Sequence, residues 1–262
     1  MKKPGMKIIV LANQKGGVGK TTYGRHLAFA AADRKLKTLV VDFDPQGNTT
    51  KTMLHLAKEE VIAKEGGWLT ASRTFDLDND AVPMPVNDYF SLIAADTELV
   101  DVSHYTNESM VNPRKTLEKF GKDFDVCIVD TPPSRGKALF AALSCADYVI
   151  SPCTLDEDAT DGLAALFEDI ERVKQMEWNP GIAVMGIQIN KMDKKSAYDR
   201  NALKQLREEV GDLVMENILY DRAATRLAIR RPVWRGNRGE NKGAAAIEMK
   251  TACNAVFENA GL

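Results

Sequence analysis

The sequence predicts an α/β fold, a doubly wound, mostly parallel sheet with helices on both faces. Short apolar runs alternate with longer amphipathic stretches along the chain, the rhythm of strand–helix–strand units. Most of the short runs are continuously apolar, which is the pattern of strands covered on both faces. The 262 residues are 44% hydrophobic and 27% charged, enough apolar material for a sizeable core. No apolar run approaches the roughly 20 residues that span a bilayer.

Taken in order, Lys7–Leu11 reads as a strand and Lys20–Asp33, rich in alanine and leucine, as a helix. Thr38–Val41 and Phe90–Ala94 read as the next strands. Between them the stretch 59–88 breaks the rhythm with Gly66-Gly67-Trp68, with Asp76, Asp78 and Asp80, and with Pro83 and Pro85. It is expected to be an irregular surface excursion of a single domain spanning residues 1–262. Pro113–Gly121 opens on proline and closes on glycine, as helices do. Val126–Val129 and Tyr148–Ile150 read as strands. Asp156–Glu177 is a long helix with Leu163, Leu166, Phe167, Ile170 and Val173 at helical spacing. Ile182–Ile189 is a strand, Ser196–Val210 a helix, Asn217–Tyr220 a last short strand and Gly243–Asn259 a last helix.

The formal net charge of −2 excludes a globally basic nucleic-acid protein, so any such surface must be a local patch. Cys127, Cys145, Cys153 and Cys253 form no C-x-x-C pair and read as buried thiols of a reducing compartment. Met1–Gly5 is too short for a signal peptide, and a cytoplasmic location is expected.

The strongest motif is Gln14-Lys15-Gly16-Gly17-Val18-Gly19-Lys20-Thr21-Thr22, between a predicted strand and a predicted helix. Its glycines let the backbone turn tightly and aim N–H groups at phosphate oxygens, and the helix adds its positive end. Lys20 can bridge the β- and γ-phosphates of ATP, and Thr21 can place its hydroxyl on Mg²⁺. Two loops carry carboxylates after apolar runs: Asp42-Phe43-Asp44-Pro45-Gln46-Gly47-Asn48, and Asp130 before Thr131-Pro132-Pro133-Ser134. The strand-ending Asp130 has the Walker B arrangement, which holds a water of the Mg²⁺ shell. Each alone also reads as an acidic turn; their order along the chain makes them a set.

These residues resemble the ParA/MinD ATPases, whose deviant P-loop has a second lysine at its start, here Lys15. The resemblance implies an ATP-bound homodimer in which Lys15 reaches the partner's nucleotide, offsetting the charge of two opposed ATP sites. It implies that Asp44 positions or polarises the attacking water and that Asp42 supports the Mg²⁺ shell. Thr131-Pro132-Pro133-Ser134 looks like the family's second switch. Asn190-Lys191-Met192-Asp193 resembles a base-reading motif, with Asn190 at adenine; the alternative is a bland strand-to-loop junction. The resemblance, with the arginine finger missing, implies slow hydrolysis accelerated by a partner.

Arg222 to Lys242 carries seven positive residues against Glu240. Arg222, Arg226 and Arg230 are four apart, so a helix would align them, with Arg231, Arg235, Arg238 and Lys242 nearby and Trp234 beside them. Such a patch suits nonspecific, salt-sensitive binding to phosphate backbones. The alternative is structural arginines paired with acids such as Asp221. The resemblance implies nonspecific DNA as ligand, a ParB-type centromere-binding protein as partner, a place on the nucleoid and segregation of plasmid or chromosomal DNA. Two other readings are a positioning ATPase for a protein cargo and a MinD-like membrane-associated ATPase. The last helix carries Glu248 and Glu258 beside a stripe of small residues, which disfavours the membrane.

Overall fold

The computed structural model describes residues 5–63, 67–156, 159–236 and 243–262. Its seven strands are β1 (Lys7–Leu11), β2 (Thr38–Asp42), β3 (Met84–Pro85), β4 (Phe90–Ile93), β5 (Val126–Asp130), β6 (Tyr148–Cys153) and β7 (Ala183–Ile189). They form one sheet in the order β3-β4-β2-β5-β1-β6-β7. All neighbours are parallel except β3, which pairs antiparallel with β4 at the edge. The helices are α1 (Lys20–Asp33), α2 (Asn48–Leu54), α3 (Glu59–Ile62), α4 (Asn112–Lys119), α5 (Lys137–Cys145), α6 (Ala159–Gln175), α7 (Ala197–Val210), α8 (Ala223–Leu227) and α9 (Ala244–Asn259). The doubly wound, mostly parallel α/β class is the one the sequence predicts.

Side chains alternate across the central strands, so each strand feeds two cores. Ile9, Leu11, Val40, Val126 and Ile128 pack with Leu27 of α1 and Phe257 of α9. Ile8, Val10, Leu39, Val41, Cys127 and Val129 pack on the other face with Leu143 of α5 and Leu166 of α6. This two-sided burial is why the strands read as continuous apolar runs. All four cysteines are buried free thiols.

Three sequence expectations change. The stretch 59–88 is not only a surface excursion, because Leu69, Ala71 and Phe75 are buried in the second core and Met84–Pro85 supplies the edge strand. Asn217–Tyr220 forms no strand. Met215 and Leu219 donate to the Ile187 and Ile189 carbonyls, but the Gln188 side chain takes the Asn217 carbonyl and interrupts the ladder. Helices α2 and α5 were not expected. Helix α2 is polar and threonine-rich, whereas α5 is too uniformly apolar to show a stripe.

The register aligns Leu11 and Asp42 with Asp130. The loops that follow these residues therefore emerge side by side at the carboxyl edge of the sheet, where open α/β sheets bind ligands.

Candidate functional site

The loop between β1 and α1 is a cradle of backbone held from outside. Gly17 and Gly19 have φ of 76° and 97°, the left-handed region that favours glycine. A Cβ on Gly19 would sit 2.1 Å from Asn190 Nδ2, which itself donates to the Val18 carbonyl at 2.8 Å. Asn190 therefore braces the loop from the end of β7. Asn13 does the same from below, donating to Ser151 Oγ and the Pro152 carbonyl while its Oδ1 accepts from Lys15 N–H.

Lys20 is buried at 6% exposure, and its Nζ donates to the carbonyls of Asn13 (2.8 Å) and Lys15 (3.2 Å). Burial lowers its pKa, against the fields of Asp130 and Asp44, which raise it. Thr21 Oγ1 donates to Asp130 Oδ2 at 2.7 Å, and Thr49 Oγ1 from α2 donates to the same oxygen at 2.7 Å. Asp130 Oδ1 is buried and has no partner among the described residues. Burial raises the Asp130 pKa. A carboxylate oxygen left open beside a threonine hydroxyl and a buried lysine fits Mg²⁺ with its water shell. No group of three His, Cys, Asp or Glu suited to hold a metal by itself occurs among the described residues.

Asp42 is the last residue of β2. Its Oδ2 accepts from Thr50 N–H (2.7 Å) and Oγ1 (2.8 Å), and its Oδ1 from Asp44 N–H (3.1 Å). Both oxygens thus brace the loop that carries Asp44, with Oδ1 accepting a single bond. Burial, then the neighbouring Asp130, pushes Asp42 up to about 7. Asp44 is 8% exposed and accepts from Gln46 N–H at 3.0 Å.

Lys15 forms an ion pair with Asp156, just past the end of β6. Gly162 of α6 lies against the same turn, since a Cβ there would be 3.0 Å from Asn13 Oδ1. Gln14 Nε2 donates to Asp169 Oδ2 at 2.7 Å, and Asp169 also pairs with Arg135 of the loop after β5. Sequence reasoning missed Asp169, Thr49 and Thr50. Only Thr49 and Thr50 had a signal, as hydroxyls directly after the Asp42–Asn48 loop.

Residues 6–184 match the AAA_31 family, whose description is AAA domain. The Chromosome-partitioning ATPase Soj of Treponema pallidum is 31% identical over 217 residues, covering 81% of this chain and 82% of its own. The chain belongs to the ParA-type partition ATPase family. Protein IncC of Escherichia coli is 32% identical to this ParA-type chain over 259 residues, 96% of this chain and 69% of IncC. In fold it is similar to an ATP complex of Cyanothece McdA, with a TM-score of 0.82 at 21% identity over 98% of this chain and 97% of that one.

The arginine segment of this ParA-type chain differs from the expectation. Helix α8 covers only Ala223–Leu227, so Arg222, Arg226 and Arg230 do not share one helical face. Arg222 pairs with Glu248 at 2.7 Å and lies over the Tyr220 ring, Arg226 pairs with Asp221, and Arg235 pairs with Asp33. Arg230 lies 3.4 Å from His55 Nε2. Trp234 is buried and donates to Asp33 at 2.7 Å rather than stacking on arginines. Arg230, Arg231 and Arg235 line one groove of about 300 Å³ with Phe29 and Tyr89. Arg238 and Lys242 lie outside the described residues. No helix among the described residues is long and apolar enough to cross a membrane.

Proposed function

We propose that this chain is an ATP-dependent DNA-partition ATPase that works as an ATP-bound homodimer on nonspecific DNA and is stimulated by a ParB-type partner. The observation that carries the reading is the arrangement of two lysines around one phosphate cradle. Lys20 is turned inward and buried, able to serve the chain's own β- and γ-phosphates. Lys15 is turned outward to Asp156, with side chains 25% and 50% exposed. An ion pair that open to water contributes only about 0–1 kcal/mol, so exchanging Asp156 for a partner's phosphate costs little.

The backbone N–H groups of Gly16 to Thr22 would hold the phosphates. Thr21 and the open oxygen of Asp130 would hold Mg²⁺ and its waters, Asp42 acting through the loop it braces. The metal supplies charge neutralisation at the γ-phosphate. Asp44 would orient the attacking water, and its place is fixed by Asp42 through its own N–H. Asn190 would reach the nucleotide through the loop it braces. The arginine segment would meet DNA through Arg222, Arg226, Arg230, Arg231 and Arg235, those paired with carboxylates exchanging them for phosphates.

Lys15→Ala should abolish ATP-dependent pairing in light scattering while nucleotide binding stays within about threefold of the parent, a difference below 1 kcal/mol. Pairing that survives the substitution sinks the two-lysine reading.

A further inference from the structure

We propose that a cavity of about 300 Å³ between the loop after β5 and helix α6 binds a small apolar molecule carrying one carboxylate or phosphate, and that its occupation is felt at the phosphate loop. The coupling half of this inference rests on the nucleotide-site reading above; the binding half does not.

The cavity has two kinds of wall. Phe140 and Trp178 stand edge to face at 6.2 Å, and Met176, 41% exposed, extends that apolar side. Arg135, Lys137 and Arg172 supply the other side. Among the described residues Lys137 donates only to the Tyr105 carbonyl, and the exposed Arg172 makes no ion pair, acting on Asp169 only through its field. Two carboxylates bear on these three cations, the buried Asp169 and the exposed Glu108 near Lys137. An excess of positive charge beside an aromatic corner selects an anion on an apolar stem: the rings take the stem and the guanidinium groups the charge.

The route to the phosphate loop is short. Asp169 is fully buried and divides its oxygens between Arg135 and Gln14, the residue before Lys15. A ligand anion in the cavity would compete for Arg135 and leave Asp169 to Gln14 alone. Helix α6 carries both ends: Gly162 touches Asn13, and Arg172 lines the cavity, ten residues or roughly 15 Å along the axis. The loop after β5 follows Asp130 directly, so the same ligand also touches the segment attached to the Mg²⁺ carboxylate.

The probe is 4-phenylbutyrate, with the neutral 4-phenylbutanol as its control, titrated calorimetrically into the full chain up to about 10 mM. The carboxylate should bind at least tenfold more tightly than the alcohol. Arg172→Glu should remove that preference, and Phe140→Ala should weaken both ligands. Saturating phenylbutyrate should shift the affinity for a fluorescent ADP at least threefold in the parent and not in Gln14→Ala. Equal binding of acid and alcohol, no binding of either, or a preference that survives Arg172→Glu overturns the site. Binding with no shift in ADP affinity overturns the coupling. A chain that binds phenylbutyrate but no ADP at all instead overturns the nucleotide-site reading and leaves the cavity standing.

Discussion

Acid should remove the stability that one buried histidine on the phosphate-loop helix contributes. His26 of α1 is fully buried, with Nδ1 2.7 Å from the Thr22 carbonyl and Nε2 3.2 Å from Val233 N–H. A carbonyl needs a donor and an N–H needs an acceptor, so the ring is neutral with its proton on Nδ1. Burial lowers its pKa from 6.5 to about 4; the Thr22 carbonyl partly opposes the shift and the nearby Arg25 adds to it. Above pH 6.5 the ring is neutral in both folded and unfolded chains, and its full contribution to stability is present. As pH falls, the unfolded chain takes up the proton first, and stability drains away until the folded ring protonates near 4. At pH 5 the loss from this group is about 2 kcal/mol, because each pH unit below 6.5 favours the protonated unfolded chain by about 1.36 kcal/mol.

Urea unfolding at pH 8 and pH 5 measures it, and His26→Gln supplies the comparison. Carboxylates titrate in both proteins and cancel in the difference. Asp42, raised to about 7, runs the other way, losing stability as pH rises through 7, and cancels equally. The parent should lose about 2 kcal/mol more than His26→Gln between the two pH values. Equal losses would show that His26 does not carry a depressed pKa.

Asp44→Ala should leave nucleotide binding and pairing intact but lower turnover on the order of 100-fold, trapping the ATP dimer; normal phosphate release contradicts its role at the water. Arg226→Glu with Arg230→Glu should abolish retention of random DNA in a low-salt gel shift, and retention that persists moves the DNA surface elsewhere. Gly19→Ala should lower Tm by several degrees, because a left-handed φ and a 2.1 Å approach to Asn190 add to at least about 1 kcal/mol. An unchanged Tm would mean the loop relaxes away from Asn190.

The phosphate loop was legible because its chemistry is local. Glycines, lysine and threonine sit at fixed spacing between a strand and a helix, and no distant residue is needed to see them. What holds the loop was not legible. Asn190 reads as a nucleotide contact by motif, and the fold shows that its side chain also braces the loop through the Val18 carbonyl. Asp169 sits in the middle of an amphipathic helix, where a carboxylate ordinarily faces water, and only the fold brings Gln14 and Arg135 to it. The arginine segment misled for a related reason. Spacing of four suggested one face, but helix α8 ends at Leu227 and Pro232 follows, so Arg222 and Arg226 each find their own acid and Arg230 lies against His55. Periodicity predicts a face only where the helix continues.

The two helices beside the nucleotide site differ in how they are held, and both are tied to the arginine segment. Helix α1 is fixed along its length. Thr21 reaches Asp130, His26 takes Val233, and Asp33 takes Trp234 and Arg235, so the arginine segment is fastened to the helix that begins at Lys20. Helix α2 is held at the site by hydroxyls: Thr49 on Asp130, Thr50 on Asp42, and Thr52 on Arg25, whose Nε has no partner among the described residues. Neutral hydroxyl bonds contribute about 0.5–1.5 kcal/mol each, up to about 3 where the acceptor is charged. Met53, fully buried in the first core, seats the same helix against the sheet. The C-cap of α2 is His55, which faces Arg230 at 3.4 Å. Thr52 ties α2 to Arg25 of α1, and His55 brings its end to Arg230, so the two helices and the arginine segment form one connected network around the site.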